Sequence, residues 1–492
     1  MGEPTIPNGE EYFFPIIYEG NGAGQRVGKF VPFTDNGTIA NSVIFNSPDD
    51  PKLGKTFSGA GTNTTWTFSC WIKLGIDTSN GRRMIFSAGS AGSNFGGAEI
   101  SSTGDNSLEF YNYVSGSYAW RLQTNRTLED RSKWYHLLFV SDTTNSTESD
   151  RARIYIDGDR VTSFATESYP SLNYANNFWM GTTEHEIGTS IFTTQNFDGY
   201  MAEVNNVDGS VVLPSTFGLT DTSTGRWIPK TLTGITYGTN GFRLQFGSTS
   251  NFGDDTSGNT NDFSVSNLVA SDQTTDSPTQ NHATIDINTA SNSSMTFAEG
   301  NLNVEMNNAY PGNVLGTLGA SSGKYYWEVT ISGTGSSANG YATGVAVAEW
   351  SKVNSDPGST TSPFSSYIDS RGYYFHNGTN ISSSTTFTAG DVISIALNLD
   401  DSEISYFKNN TIVGSAQPLV DDQTYFPLFK NSTSVADLRY TPNFGQKSWN
   451  YTPPTGFVAL QQDNLPETAS GVSSLVWIKS RDTASAHMLF DS

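Results

Sequence analysis

The chain has 492 residues, 48 acidic against 26 basic side chains, a formal net charge of −22 and one cysteine. That length exceeds a single hydrophobic core and suggests about three domains. The charge repels nucleic-acid phosphates and anionic lipid heads, or simply keeps a densely displayed protein soluble. A lone cysteine excludes an intrachain disulfide and cysteine-based metal sites. Charged residues are only 15%, yet aromatics reach 13%. A disordered chain would be poor in aromatics, so the expected fold class is all-β, built of thin antiparallel layers.

Residues 1–27 form an N-terminal arm whose only apolar cluster is YFFPIIY at 12–18. It could dock onto another subunit or pack on its own domain. The first residues lack the basic start and apolar run of a signal peptide, and no stretch reaches the length of a membrane-spanning helix. Residues 28–268 then read as a first domain of short strands. TWTFSCWIK at 65–73 alternates polar and apolar residues, which gives one inner face and makes Cys70 a small core residue. MIFS at 84–87, LEFY at 108–111 and WYHLLFV at 134–140 continue the sheet. RIYIDGDRV at 153–161 is a hairpin, with an Asp157-Gly158 turn supplying the positive φ that such turns need.

The motif FDGYMAEV at 197–204, together with the YIDG hairpin upstream, resembles laminin-G-like, concanavalin A-like sandwiches over most of 40–230. Its continuation through Phe217-Gly218 and Trp227-Ile228-Pro229-Lys230 is similar to the version carried by structural proteins of marine bacteriophages. Residues 242–246 (FRLQF) and the loop 254–262 (DDTSGNTND) resemble the strand and loop that begin such a domain, but here they come last. The expectation is a circularly permuted sandwich, in which Leu244 pairs with a strand inside 40–140 and 242–290 does not fold alone.

Residues 269–289 are polar and turn-rich and read as a linker. From 290 to 460, GKYYWEV (323–329), GDVISIALNLD (390–400) and ISYFKNN (404–410) occur in an order that resembles a SPRY domain, another concanavalin-like sandwich. Residues 461–492 read as a further linker and the start of another module, beginning at LVWIKSR (475–481). Tandem concanavalin A-like jelly rolls are therefore the expected architecture.

Enzymatic signatures are absent from the sequence. The strand acids Glu99, Glu109, Glu203 and Glu328 form no E-x-E pattern on one strand, although folding could assemble an acid pair. The five histidines, His136, His185, His282, His376 and His487, show no metal-ligand spacing, and no phosphate or dinucleotide loop lies in a strand–helix context. The expectation is a protein that is not an enzyme. Asp254, Asp255, Asn259, Asn261 and Asp262 offer oxygens at short spacing, suited either to Ca²⁺ or to a hydrogen-bonded turn. Trp350, Phe364, Tyr367, Tyr373 and Tyr374 lie in or beside expected loops, where aromatic faces stack on sugars or anchor a partner.

The phage resemblance implies a virion surface appendage, such as a tail fibre, that adheres to host cell-surface glycans or proteins by multivalent binding. Its partners would be other virion proteins and host glycans, without nucleic acid or membrane insertion, in a homo-oligomer. The alternatives are a structural protein that decorates the capsid or braces the tail, and a bacterial surface adhesin.

Overall fold

The computed structural model describes residues 37–466, apart from 77–80, 102–105, 177, 193–194, 223, 292–293, 307–311, 335–339, 349–363, 377–378 and 432–436, together with strands Val476–Ile478 and Met488–Phe490. The expected arm at 1–27 and most of 461–492 lie outside the described residues, though those two C-terminal strands pair antiparallel. The fold is all-β, and no α-helix occurs among the described residues.

The first sandwich has two eight-stranded sheets. One runs Asp159–Arg160, Ala152–Ile156, Tyr135–Asp142, Thr65–Leu74, Gly199–Asp208, Ser42–Phe45 and Gln273–Thr274, with Phe242–Leu244 also on Gly199–Asp208. The other runs Phe164–Ser168, Ser117–Thr127, Ser107–Val114, Asn94–Ser101, Arg82–Ala91, Glu184–Ile187, Lys52–Thr56 and Ser264–Ser266. Alternation along Thr65–Leu74 directs Trp66, Phe68, Cys70 and Ile72 into the core between the sheets. Burial pushes the Cys70 thiol well up, so it stays an inert core group.

Residues 242–244 join the sheet that Ser42–Phe45 opens, but the pairing expected of a permuted sandwich is not formed. Leu244 pairs with Val204 rather than with a strand inside 40–140. The reason is a bulge in Gly199–Asp208 between Ala202 and Asn205. Ser42–Phe45 covers one edge of this strand as far as Met201, and Phe242–Leu244 takes over that pairing from Val204 to Asn206. Phe242, Leu244, Phe246, Phe252 and Phe263 all enter the first core, so 242–268 belongs to it.

The second sandwich pairs a seven-stranded sheet with an eight-stranded one, the latter centred on Lys324–Gly333 between Leu438–Asn443 and Val392–Asn398. Pairing is antiparallel except for Val458–Ala459, which runs parallel to Lys324–Gly333.

The polar segment at 269–289 is not a free linker. Gln273–Thr274 pairs with Ser42–Phe45 in the first sandwich, and Ile285–Asp286 pairs with Gly312–Gly316 in the second. Asp276 and Ser277 between them are fully buried. Their polarity serves an internal network: Lys73 Nζ donates to Asp276 Oδ2 at 2.8 Å, Asn281 Oδ1 at 2.9 Å and the His282 carbonyl at 2.8 Å. Ile44, Trp71, Trp134, Tyr200 and Ala202 of the first sandwich join the core cluster of the second. Strand Gly199–Asp208 is consequently buried along its whole length on both faces.

Candidate ligand-binding cleft between the sandwiches

The second sandwich and an excursion of the chain through 209–235 share the outer face of the first sheet. Phe217, with Val211, Val212, Leu232 and Ile235, packs on Leu138, Val140 and Tyr155. At the junction lies a cleft of about 660 Å³, within the size range of small-molecule sites. Trp71, Trp134 and Trp227 line it, with Lys133, Asp157 and Arg226. Each tryptophan arrives differently. Trp71 occupies the outward register of Thr65–Leu74, where Thr67, Ser69 and Lys73 are its polar neighbours. Trp134 immediately precedes Tyr135–Asp142, and Trp227 opens the hairpin strand Trp227–Pro229.

Trp227 is positioned by close backbone. Gly158, at φ +85° in the Asp-Gly turn, lies under its ring, and a Cβ there would come within 2.5 Å of a ring carbon. The indole stacks near His136 at 6.0 Å and 25°. His136 is buried, its Nε2 is 2.9 Å from Ser69 Oγ, and burial lowers its pKa to about 3, so it is neutral. Trp134 Nε1 donates to Asp276 Oδ1 at 3.0 Å. Trp227 Nε1 is buried and meets no acceptor.

Charge in the cleft is arranged in pairs. Asp157 receives Lys133 at 2.9 Å and Arg126 at 3.5 Å, and its Oδ1 accepts the His136 amide at 2.9 Å. Arg226 reaches Asp463 of the second sandwich at 4.0 Å, both well exposed. Trp71 also lines a smaller hollow of about 170 Å³, together with Ser69, Glu203, Asn205 and Arg243. Aromatic faces and rim charges suit recognition of a polar ligand with apolar faces.

The residues singled out by sequence are distributed differently. Trp350 lies outside the described residues. Phe364 is half-buried and packs against the second core. Tyr367, Tyr373 and Tyr374 are not on loop tips but in the paired strands Ser365–Asp369 and Tyr373–His376. Strand alternation separates them: Tyr374 turns inward and donates to the Val413 carbonyl, while Tyr367 stacks on Phe375 at 4.7 Å. Only Tyr373 is exposed, at 40%.

The 254–262 loop is a hydrogen-bonded turn. Asp255 Oδ1 accepts the amides of Arg243 and Ser257, and Oδ2 accepts the Asn261 amide and the Ser257 hydroxyl, all at 2.8–2.9 Å. Asp262 Oδ1 accepts the Asp255 amide at 2.9 Å. Asn259 and Asn261 turn their NH₂ groups to backbone carbonyls of 238–241. Asp254 is exposed. Among the described residues, no group of three or more His, Cys, Asp or Glu side chains is arranged to hold a metal ion.

Folding does assemble one acid pair. Glu99 and Glu109 face each other across neighbouring strands. Each is held by an arginine: Arg82–Glu99 at 2.6 Å, and Arg121 on both oxygens of Glu109 at 2.6 and 2.9 Å. Both acids are buried, and desolvation pushes Glu99 up to about 7 against the pull of Arg82.

The cleft could have been sought in the sequence. A tryptophan at position 71, in the polar register of an otherwise alternating strand, is the one signal of a covered outer face. What it faces depends on chain more than 150 residues away.

Comparison with known proteins decides the kind of modules involved. Residues 52–211 match the concanavalin A-like lectin/glucanases superfamily, and residues 324–447 match the SPRY domain. The chain carries a laminin-G/concanavalin A-like domain followed by a SPRY domain. It is similar over 151 residues, at 28% identity, to the ATP-dependent RNA helicase DDX1 of Xenopus laevis; the match covers 30% of this chain but only 18% of that protein's length. The SPRY domain of human HERC1 shares 19% identity at a TM-score of 0.26, covering 33% of this chain and 99% of that one. The heptameric SAP-like pentraxin of Limulus polyphemus shares 15% at 0.27, covering 35% and 78%. This pair of domains suggests a binding or adhesion-type module.

Proposed function

We propose that the protein is a non-enzymatic adhesion component of a phage virion surface appendage, a tail fibre or similar, that engages host cell-surface glycans or proteins. It would act as a homo-oligomer attached to other virion proteins, with weak single sites multiplied by repetition. One observation carries the binding role: three tryptophans, Trp71, Trp134 and Trp227, wall one cleft of about 660 Å³ together with Lys133, Asp157 and Arg226. The non-enzymatic reading draws on the ion pairs that hold Asp157 to Lys133 and Arg126 in the cleft. The phage assignment is supported by the motif continuation through Phe217-Gly218 and Trp227-Ile228-Pro229-Lys230, and the net charge of −22 suits dense display.

The architectural alternative, capsid decoration or tail bracing, draws on the buried joint around Lys73, which makes the two sandwiches one stiff unit. Gold-conjugated antibody against residues 30–460, applied to purified virions and located by electron microscopy, separates the readings. Label on tail-attached fibres is expected. Label over the capsid overturns the adhesion reading in favour of decoration, and virions without label overturn both.

A further inference from the structure

The joint between the sandwiches has the composition of a reaction centre as well as that of a clamp. Lys73 Nζ lies 2.8 Å from Asp276 Oδ2 and 2.9 Å from Asn281 Oδ1. An amine therefore touches both a carboxylate and a carboxamide. Solvent is shut out, since Lys73 and Asp276 are fully buried and Asn281 is only 6% exposed. The surroundings are aromatic: Nζ sits 5.7 Å from the centre of the Tyr200 ring, and the Trp134 indole holds the other Asp276 oxygen at 3.0 Å.

Each group is oriented for amide exchange. Burial lowers the Lys73 pKa, with Asp276 opposing the shift, so Nζ gives up a proton more readily than a lysine in water. Asn281 turns its Oδ1 towards Nζ, while its Nδ2 donates to the Ser132 carbonyl at 2.8 Å and to Gln462 Oε1 at 3.1 Å. The carbonyl side of the amide thus faces the amine, and its nitrogen side faces two acceptors. Ser132, Asn281 and Gln462 also line the tryptophan cleft, so that nitrogen borders a way out. Reactants held at such range, in a dry site, need pay little further entropy to react.

We propose that Lys73 and Asn281 join in an intramolecular isopeptide bond, with Asp276 as the proton carrier. Asp276 Oδ2 takes a proton from the ammonium, and the freed amine attacks Asn281 Cγ. The new bond from Nζ to Cγ replaces the bond from Cγ to Nδ2. Nζ gives up two protons in all, both passing through Asp276 to Nδ2, which leaves as ammonium into the cleft. Asp276 returns to its carboxylate, and the balance needs no oxidant or cofactor. The ion-paired arrangement is the state before reaction. The product ties strand Thr65–Leu74 covalently to the segment leading into the second sandwich. A cross-link spanning 208 residues also constrains the unfolded chain.

The test is intact-mass spectrometry of the full chain, freshly purified and again after several weeks at room temperature, followed by proteolysis and tandem mass spectrometry of the peptides. The aged chain should be lighter than its sequence by one ammonia, and a branched peptide should join Lys73 to Asn281 through their side chains. D276N and N281A should keep the full mass. An aged wild type that retains its full mass overturns the proposal. Ammonia loss with every peptide linear overturns it too, since that marks succinimide formation at an asparagine, as does a branch between other residues. A D276N chain that still cross-links overturns the role given to Asp276. The wild-type readouts decide the bond itself and do not depend on any variant folding.

Discussion

Replacing Lys73 with methionine should uncouple the two sandwiches before it unfolds either. The ammonium is fully buried, and its three donors meet Asp276, Asn281 and the His282 carbonyl, all from the segment that joins the sandwiches. Burial lowers the Lys73 pKa, and Asp276 opposes that shift. Methionine would leave the Asp276 carboxylate buried with only the Trp134 indole and the His282 amide as donors. Removing one partner of a buried ion pair costs about 3–5 kcal/mol. For domains of this size, that corresponds to a drop in melting temperature of roughly 6–20 °C. Differential scanning calorimetry of K73M should show one transition split in two, with the lower one displaced by that amount. The double variant K73M/D276L should recover only part of the loss, because it removes both buried charges but leaves the Trp134 indole and Asn281 Oδ1 without their partners. If K73M melts with the wild type in one transition, the reasoning about the joint is refuted.

Trp227→Phe removes an indole N–H that has no protein acceptor, so chemical denaturation should show stability nearly unchanged. In Trp227→Ala, which removes one aromatic wall of the cleft, binding to a glycan array should fall roughly tenfold; equal binding would remove the cleft from the mechanism. Asp198 is buried and pushed up to about 6, although it accepts the Ser47 and Ile76 amides. Its folded pKa lies above the unfolded one, so its contribution is fully present below about pH 4 and is lost as pH rises through 6. Urea denaturation should therefore show wild type gaining on Asp198→Asn by up to roughly 3 kcal/mol between pH 7.5 and pH 4, and a constant gap would contradict the assignment. Asp255→Ala should cost roughly 2–4 kcal/mol through loss of four hydrogen bonds. Millimolar Ca²⁺ should leave the wild-type melting temperature where it is, and a rise would show the loop exchanging its turn for a metal.

Strand identity and the two-module order were legible in the chain because both are written locally. The period-2 pattern of 65–73 depends only on neighbouring residues and one apolar face, and the core holds Trp66, Phe68, Cys70 and Ile72 as that pattern requires. The all-β class follows from the same physics: aromatic-rich, weakly charged segments of strand length, punctuated by Gly, Asp and Asn. The turn at 254–262 was legible as one of two readings, because Asx side chains that bond their own backbone and those that ligate an ion look alike in sequence.

Long-range decisions were not legible. Lys73 reads as the solvent end of an alternating strand, and it is buried because Asp276, 203 residues further on, comes to meet it. The polar segment at 269–289 has the composition of a linker, and that same polarity satisfies a buried network once two sandwiches close around it. Tyr373 and Tyr374 are indistinguishable in a list of aromatics. Their neighbours in space decide that one faces solvent and the other the core. Leu244 reached the sandwich as expected, but a bulge at Glu203 chose its partner. The chain alone determined which segments become strands and which side of most of them is apolar, since hydrophobic burial and backbone geometry act within a few residues. Only the tertiary structure decided which outer faces are covered and which polar atoms find partners, because those depend on contacts between segments hundreds of residues apart.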